Sequence, residues 1–393
     1  MNLPLEGIKI LDLSRYLPGP LCTQILADFG AEVIKIEPPK SGELGRNLAP
    51  LVKGESARFY TVNRNKKSIT LDLKKEEGKE IFKKLAAKCD IVLDQFRPGV
   101  MDKLGLGYEV LKKVNEGLIY CSLTGYGLNG PLRNTAGHDL NYLSLAGIME
   151  QTGNPNEKPA ISGVQIADTA GGSLYSVIAI LLALTSRAKT GKGQLCDVAM
   201  LDGSISLLAY TIGEWFGSGK LLERGNEALT GGYACYHIYE TKDNKYVSLG
   251  AVEDKFWIEF CEKLDRKEYA SLQWNKEKQA DIIEDISSII SQKNREEWVQ
   301  FFSNNNICFT PVLNMEEMCM HPQVAARNMV TKLSNFRESG KDVVLTGVPI
   351  KLSDTPGEAK YIFAELGEHT DEMLASIGYP KEEIDSFRKN SVI

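Results

Sequence analysis

The first third of the chain alternates between short apolar runs and helical patterns. Ile8–Leu13 has the β-branched composition of a strand, Cys22–Val33 has the i, i+3, i+4 spacing of a helix, and VIKIEPP gives a second strand. The alternation continues through SITLDL, EEGKEIFKKLAAKCD, IVLDQF, YEVLKKVNEG and LIYCSLTGYG. Such a β-α-β succession predicts an α/β, Rossmann-like fold, with a mostly parallel sheet and helices on both faces.

The pattern changes in the second half. From Asp168 the sequence predicts a mostly apolar helix that ends at the glycine-rich turn TGKG, followed by another strand and helix. Around the turn KDNK, alternating aromatic and β-branched residues instead predict a hairpin in a smaller α+β domain. We predict a large domain over 1–205, a linker over 206–223, the small domain over 224–321, and a return to the large domain over 322–393.

Length and charge narrow the possible functions. At 393 residues the chain exceeds the size at which one hydrophobic core stops growing, which is consistent with two domains. The 52 acidic and 46 basic residues are spread along the chain and give a net charge of -6, so no basic stripe indicates a nucleic-acid partner. An anionic ligand must therefore be held by a local basic pocket.

The sequence contains none of the common signatures of a metal or nucleotide cofactor. Its eight cysteines form no CxxC pair, its four histidines do not complete a zinc-ligand spacing, and no GxGxxG follows the first strand. The amino terminus lacks a signal-peptide pattern, and the apolar run Leu174–Leu184 is shorter than a membrane span. We expect a cytoplasmic enzyme with reduced thiols, without a metal, a permanently bound cofactor or a membrane partner.

Three residues are candidates for acid-base chemistry, and each also has an ordinary structural interpretation. His138 precedes an amphipathic stretch, where a helix N-terminus disfavours the charged imidazolium, but it could simply bond to the backbone. Asp168 begins the apolar helix, where a carboxylate commonly serves as N-cap; Gly171 and Gly172 behind it would let a ligand approach the backbone. Glu253 follows a strand and could be an exposed strand-end residue.

Basic residues flank two predicted strands. Arg64, Lys66 and Lys67 come just before one strand and Arg97 just after another. Lysine-rich stretches are usually solvated faces. The edges of an α/β sheet are nevertheless where such proteins bind ligands, so these residues are candidates for holding phosphates.

The order of motifs along almost the entire chain resembles the CaiB/BaiF superfamily, the family III CoA-transferases. The motifs are GIKILDLSR, ADFGAEVIKIEPP, NRNKKSITLDLK, DQFRPGVMDKLGLGYE, TGYGLNGP, AGHDLNYL, ADTAGGS, TGKGQ, DVAMLDG and GAVEDKFW. The resemblance implies a Rossmann-like large domain built from both chain ends, a smaller domain between them, and two subunits that form an interlocked homodimer.

Within this superfamily the chain most resembles the α-methylacyl-CoA racemases. Their two proton carriers match Asp168 and His138, the latter in AGHDLNY and assisted by a glutamate that matches Glu253 in GAVE. In the transferases the residue matching Asp168 is instead a nucleophile that forms an aspartyl-CoA thioester. The chain also lacks the run of consecutive glycines that some transferases carry, since this stretch reads LTGGYACY.

The resemblance implies 1,1-proton transfer on a 2-methylacyl-CoA, with His138, tuned by Glu253, on one face and Asp168 on the other. Backbone N–H groups after Asp168 are expected to stabilise the enolate oxygen. Coenzyme A enters as part of the substrate. Its implied contacts are Arg15, Tyr16, Asn63, Arg64, Lys66, Lys67, Phe96, Arg97, Met101, Lys103 and Tyr126, with Lys40 or Arg46 as further phosphate ligands.

Two alternatives stay open at this point. One is a CoA-transferase that uses Asp168 as its nucleophile and a carboxylic acid as acceptor. The other is a non-catalytic acyl-CoA-binding protein, which would need no carboxylate opposite a histidine. The sequence does not identify the acyl group.

Overall fold

The computed structural model describes residues 3–393, which form two compact units. The large unit comprises the residues up to 146 together with 164–208 and 323–393, and the small unit comprises 147–163 and 209–322. The strands are β1 Lys9–Leu13, β2 Glu32–Glu37, β3 Leu51–Val52, β4 Glu55–Ser56, β5 Lys66–Thr70, β6 Ile91–Asp94, β7 Ile119–Thr124, β8 Leu195–Ala199, β9 Tyr236–Glu240, β10 Tyr246–Gly250, β11 Phe309–Pro311, β12 Val330–Leu333 and β13 Val343–Thr346.

The helices lie between these strands, mostly as short segments. The α-helices are α1 Pro18–Asp28, α2 Ala57–Thr61, α3 Glu76–Ala86, α4 Val100–Lys103, α5 Tyr108–Val114, α6 Asp139–Ala146, α7 Ile148–Gln151, α8 Tyr175–Thr190, α9 Met200–Ser206, α10 Ala209–Ser218, α11 Asp254–Lys263, α12 Gln279–Ile290, α13 Arg295–Phe302, α14 Met315–Met320, α15 Pro322–Ala326, α16 Thr370–Ser376 and α17 Lys381–Lys389. A π-helix spans Ala167–Leu174, and 3-10 helices span Leu44–Asn47, Lys267–Leu272, Lys276–Lys278 and Phe336–Glu338.

The predicted parallel sheet is confirmed. Six parallel strands follow the order β5-β2-β1-β6-β7-β8. Leu11 and Leu13 of β1 share a core with Ile81 and Phe82 of α3, whereas Asp12 between them accepts a hydrogen bond from Thr23 of α1 at 2.7 Å. Successive side chains on a strand point to opposite faces, so helices cover both faces of the sheet.

Strand order creates a switch point beside β1. The chain proceeds from β1 to β2 on one side, and β6 pairs with β1 on the other. Ligands of open α/β sheets bind in the crevice at the carboxyl ends of the strands at such a point. A ligand-binding site is therefore expected among the loops that follow β1, β6 and β7.

The end of the chain covers the β5 edge of this sheet. Phe363 forms a bridge to Lys66, and the His369 N–H donates to the Ser68 carbonyl at 2.9 Å. The Asp72 N–H, just beyond β5, donates to the Val392 carbonyl at 2.8 Å. The last segment of the chain thereby replaces a missing seventh strand with irregular structure.

Two predicted domain boundaries need correction. The segment 147–163 belongs to the small unit and not to the large domain, because Arg224 donates hydrogen bonds to the Glu150 carbonyl at 2.9 Å and to its carboxylate at 2.7 Å. The predicted linker 206–223 contains α10, a helix in which no residue is buried.

The small unit contains the predicted hairpin. β9 and β10 pair in antiparallel fashion, and β11 extends them to a three-stranded sheet. Behind the sheet, Trp257, Phe260, Trp298 and Phe302 belong to one buried cluster. This core is separate from that of the parallel sheet and supports an α+β unit.

The π-helix and α8 form one continuous helical segment over 167–190, which ends at Gly191 with φ +72°. By length and composition alone this segment could cross a membrane, although 39% of its most apolar part is buried within the chain. The core helix of a water-soluble domain meets the same criterion, so the segment is weak support for a membrane span. α8 packs against β7 and β8 of the sheet.

The π-helix touches α9 through glycine backbones. A Cβ placed on Gly203 would lie 2.2 Å from the Gly171 carbonyl oxygen, and one on Gly171 would lie 2.7 Å from the Met200 carbonyl oxygen. Real Cβ atoms do not approach backbone oxygens so closely. The two helical segments can pack at this distance only because both positions are glycine.

Gly203→Ala should therefore lower the free energy of unfolding by about 3 kcal/mol, because backbone on both sides must move to accept the methyl group. Urea denaturation measures this change. Gly163→Ala is the matched control, since a Cβ at that exposed position meets nothing within 4 Å. Equal effects of the two substitutions would contradict the proposed backbone contact.

Candidate active site

A cavity of about 520 Å³ lies at the carboxyl edge of the parallel sheet. Arg15 and Tyr16 reach it from the loop after β1, Phe96 and Arg97 from the loop after β6, and Tyr126 from the loop after β7. His138 and Asp168 line the same cavity. Seven of the residues singled out in the sequence are thus brought together at the switch point.

His138 directly precedes α6, as predicted from the sequence. Its carbonyl accepts hydrogen bonds from the Asn141 and Tyr142 N–H groups at 2.8 and 3.3 Å, and its own N–H donates to the Asn141 side chain at 3.0 Å. The imidazole is exposed and makes no hydrogen bond to any of residues 3–393. The backbone is therefore fixed by capping, while the ring stays available to a ligand.

The residue before His138 is fixed by two tyrosines. Tyr142 donates its hydroxyl hydrogen to the Gly137 carbonyl at 2.6 Å and packs edge-to-face on Tyr126 at 5.1 Å between ring centroids. A Cβ on Gly137 would lie 2.7 Å from the Tyr142 ring. The glycine of the AGHD motif is needed for this packing.

Asp168 lies inside the π-helix and not at an N-cap, which corrects the structural interpretation offered from the sequence. Its carboxylate accepts no hydrogen bond from residues 3–393. Burial, together with the nearby Asp139 carboxylate, raises the pKa of Asp168 from 3.8 to about 7. Protonation of this carboxyl group is therefore favoured far more than that of an ordinary aspartate.

Backbone groups around Asp168 are already engaged. The Asp168 N–H donates to Asp139 Oδ1 at 3.0 Å, and the Thr169 N–H donates to the Gln165 carbonyl at 3.0 Å. Gly171 and Gly172 face Met200 and other protein atoms, so they serve helix packing and not the approach of a ligand. The expectation that N–H groups next to Asp168 stabilise an enolate is therefore not supported by this geometry.

Three arginines line the cavity without an ion pair among the described residues. They are Arg15, Arg97 and Arg133. The guanidinium group of Arg15 lies 5.8 Å from the centre of the Phe96 ring. Arg133 was missed from the sequence because it lies in an irregular loop; its position five residues before His138 was the available signal.

The loop after β1 has an unusual backbone. Tyr16 has φ +65°, a value rare for a residue with a side chain. Its N–H donates to Glu43 Oε2 at 3.1 Å, while Gln95 Oε1 accepts from the Gly19 N–H at 3.2 Å. Two side chains from other loops thus hold this strained turn at the cavity.

Several other predicted CoA contacts lie outside this cavity. Arg64 is buried and pairs with Asp28 at 2.6 Å, and Lys66 is buried and pairs with Asp12 at 3.2 Å. Asn63 is also buried and accepts a hydrogen bond from Lys66 at 2.9 Å. A buried charge must be compensated, and here the compensation comes from the protein itself, which makes these residues structural.

The remaining candidates are dispersed. Lys67 pairs with Glu32 at 3.0 Å and Glu372 at 2.9 Å, and Arg46 pairs with buried Glu37 at 2.7 Å. Met101 is buried beside a neighbouring cavity of about 220 Å³, to which Arg97 also contributes. Lys40 and Lys103 lie outside both cavities.

Glu253 belongs to the small unit. It occupies the N-cap position of α11, its side chain is exposed, and it makes no capping hydrogen bond. Its predicted assistance to His138 stays a prediction.

Comparisons with known proteins identify the family of the chain. The model of CoA-transferase family III matches residues 5–370. Human alpha-methylacyl-CoA racemase is 33% identical over 391 residues, which cover 99% of this chain and 97% of the racemase. Human succinyl-CoA:glutarate CoA-transferase is also 33% identical, over 381 residues that cover 95% of this chain and 86% of the transferase. A CaiB/BaiF family protein from Brucella suis has a similar crystal structure, with 33% identity, a TM-score of 0.83, and coverage of 96% of this chain and 100% of the other.

The raised pKa of Asp168 predicts a pH-dependent cost in stability. The folded state binds this proton more tightly than the unfolded state does, so stability is lost as the pH rises from about 4 to about 7. Asp168→Asn removes the titrating group and should raise the free energy of unfolding more at pH 8 than at pH 5, by at most about 4 kcal/mol at pH 8.

Urea denaturation of the ligand-free protein at both pH values tests this. Asp243→Asn is the control, because the Thr241 hydroxyl lowers the pKa of Asp243 and keeps that carboxyl ionised at both pH values. A gain from Asp168→Asn that is the same at pH 5 and pH 8 would contradict the shifted pKa.

Proposed function

Since the chain belongs to CoA-transferase family III, we propose that it acts on an acyl-CoA thioester and interconverts the two configurations of a 2-methylacyl-CoA. The observation that carries this proposal is the presence of His138 and Asp168 on the walls of one cavity. A racemase needs two proton carriers at one carbon, whereas a transferase needs only the carboxylate.

The reaction is a 1,1-proton transfer. The thioester carbonyl acidifies the α-hydrogen, and either the neutral His138 imidazole or the Asp168 carboxylate removes it as a proton. The electron pair of the broken C–H bond moves into a planar enolate. The other residue then donates a proton to the opposite face, so a new C–H bond forms with inverted configuration.

The protonation of Asp168 suits this exchange. A carboxyl group with a pKa of about 7 is present in both forms at neutral pH. It can therefore accept a proton in one direction and donate one in the other. General acid-base catalysis works best when the pKa of the group lies near the operating pH.

The first turn of α6, directly after His138, is a candidate source of donors for the enolate oxygen. The Asp139 and Leu140 N–H groups have no acceptor among the described residues, and they follow directly after His138. The N-terminus of a helix favours negative charge because its N–H groups are unsatisfied and its dipole is positive there. We therefore propose these N–H groups as donors to the enolate oxygen, in place of those after Asp168.

The arginines fit the anionic part of the substrate. Coenzyme A carries several phosphate charges, and the protein as a whole is acidic, with a net charge of -6. Arg15, Arg97 and Arg133 bring unpaired positive charge into the cavity. Guanidinium groups recognise phosphate in two-pronged geometry, so we assign these three to the CoA portion.

A CoA-transferase is the second candidate. The human transferase and the human racemase are each 33% identical to this chain, and the nucleophile of a transferase would be Asp168 in the same cavity. The transferase reaction gives no role to His138, which lines the same cavity, and this favours the racemase. A non-catalytic acyl-CoA-binding protein would gain nothing from a desolvated carboxyl group.

Exposed apolar helices support a homodimer. In α10, Tyr210 is 76% and Phe216 88% exposed, and Leu221 just beyond it is 83% exposed. In the large unit, Ile178 and Leu182 of α8 are 48% and 65% exposed. Large apolar side chains exposed to this degree are typical of protein interfaces, and we propose a second copy of the chain as the partner.

The deciding experiment is exchange in deuterated water with a single-configuration 2-methylacyl-CoA and no free acid. We expect α-deuterium incorporation together with loss of optical purity. His138→Ala should slow racemisation by at least about 100-fold, because one face then lacks a proton carrier. Asp168→Asn should have a similar effect.

The same experiment identifies the alternatives. New CoA thioesters that form only when carboxylic acids are added, without racemisation, would identify a transferase that depends on Asp168. Binding without turnover in either assay would identify a non-catalytic protein. The CoA affinity of each variant, measured by calorimetry, separates loss of chemistry from loss of binding.

The dimer is tested by mass in solution. We expect the wild-type protein to have twice the 43.5 kDa mass of the chain in light scattering after size-exclusion chromatography. Phe216→Asp should shift it toward 43.5 kDa, because a charge would be buried in the interface. Met315→Asp, at a 79% exposed position of α14, is the control and should leave the mass unchanged. A wild-type protein of single-chain mass would overturn the proposal.

A further inference from the structure

We propose that Asp139 is a positioning residue that couples the two proton carriers: its carboxylate fixes the backbone of Asp168, and its charge tunes the protonation of the Asp168 side chain. The inference deepens the proposed function, since it concerns how that site keeps Asp168 in a state able to exchange protons. Asp139 itself is not assigned to the transfer of a proton.

The geometry begins with chain connectivity. Asp139 is the first residue of α6 and directly follows His138, so its backbone is continuous with that of one proton carrier. Its Oδ1 accepts a hydrogen bond of 3.0 Å from the N–H of Asp168, the other carrier. One side chain thus links two segments that lie 29 residues apart in the sequence.

An ordinary helix-stabilising role does not account for this contact. An acidic residue in the first turn of a helix usually interacts with the N–H groups of that turn. Here the Asp139 and Leu140 N–H groups of that turn have no acceptor among the described residues. Asp139 instead reaches out of its own helix to the π-helix.

The charge of Asp139 acts on Asp168. The titratable and charged side chains on the elements packed against the π-helix, besides Asp139 itself, are Cys22 and Asp28 of α1, Tyr142 of α6, Tyr175, Arg187 and Lys189 of α8, Cys196 and Asp197 of β8, and Asp202 of α9. The cavity wall adds Arg15, Tyr16, Arg97, Tyr126, Arg133 and His138. Of all charges near Asp168, the Asp139 carboxylate is the one that raises the Asp168 pKa, in addition to burial. A like charge disfavours ionisation because the two carboxylates repel each other.

Two substitutions separate the hydrogen bond from the charge. Asp139→Asn keeps an oxygen that can accept the Asp168 N–H but removes the charge. Asp139→Ala removes both. Asp202→Asn is the matched control, because it makes the same chemical change on another helix that packs against the π-helix.

The first measurement does not depend on turnover. Carboxyl carbon NMR of protein labelled in its aspartates, with the Asp168 signal assigned through Asp168→Asn, follows the titration directly. We expect Asp139→Asn to lower the Asp168 titration midpoint by about one pH unit and Asp202→Asn to leave it unchanged. An unchanged midpoint in Asp139→Asn would overturn the electrostatic part of the proposal.

The second measurement is the pH profile of α-deuterium exchange. In Asp139→Asn, the limb of the profile that Asp168 governs should move to lower pH, and the maximal rate should stay above that of Asp139→Ala, because an oxygen that can hold the Asp168 N–H is kept. In Asp139→Ala, the maximal rate should fall by at least tenfold with little change in KM, because Asp168 is no longer held in place. Equal maximal rates in the two variants would overturn the positioning role.

The two measurements distinguish failure of the proposed racemase function from failure of the inference about Asp139. If the NMR midpoint shifts but no variant, including wild type, racemises the substrate, Asp139 tunes Asp168 in a different reaction. If wild type racemises and the midpoint does not shift, the racemase proposal stands and the inference about the charge of Asp139 fails. Thermal unfolding of each variant identifies substitutions that merely prevent folding.

Discussion

The contact between two glycine backbones determines where the candidate catalytic carboxyl group can lie. Gly171 in the π-helix and Gly203 in α9 approach so closely that a methyl group on the latter would fall 2.2 Å from the carbonyl oxygen of the former. The π-helix is also tied to the first residue of α1, because the Ser173 hydroxyl donates to the Pro18 carbonyl oxygen at 2.7 Å. Asp168 is thus held by backbone packing on both sides, and its desolvation follows from that packing.

Buried cations in the interior of the large unit are paired with carboxylates, whereas the arginines in its cavity are not. Buried cations such as Arg64 and Lys66 each have a carboxylate within 3.2 Å. Arg15, Arg97 and Arg133 in the cavity have no such carboxylate partner among the described residues. Their positive charge is therefore available to attract an anionic ligand that enters the cavity. In a chain with net negative charge, this arrangement concentrates attraction for anions at a single edge of the sheet.

Periodicity alone was sufficient for the parallel sheet and the hairpin, because both depend on local alternation of apolar residues. It was not sufficient for the π-helix, since the widened turn at Asp168 depends on contacts with segments distant in sequence. The burial of Arg64 in an ion pair could not be predicted for the same reason, because its partner Asp28 lies 36 residues earlier in the sequence. Motif resemblance placed His138 and Asp168 in one cavity, but the role of their neighbour Asp139 required the fold.

The cover of the β5 edge has a consequence for biosynthesis. Thr70 at the end of β5 donates its N–H to the Thr370 hydroxyl, a contact between residues 300 positions apart. At a translation rate of roughly 5 to 20 residues per second, the ribosome needs about 15 to 60 s to make the chain between them. Throughout that interval the nascent sheet presents an open edge that can pair with other chains, which makes this stage the one at which chaperones have most to protect.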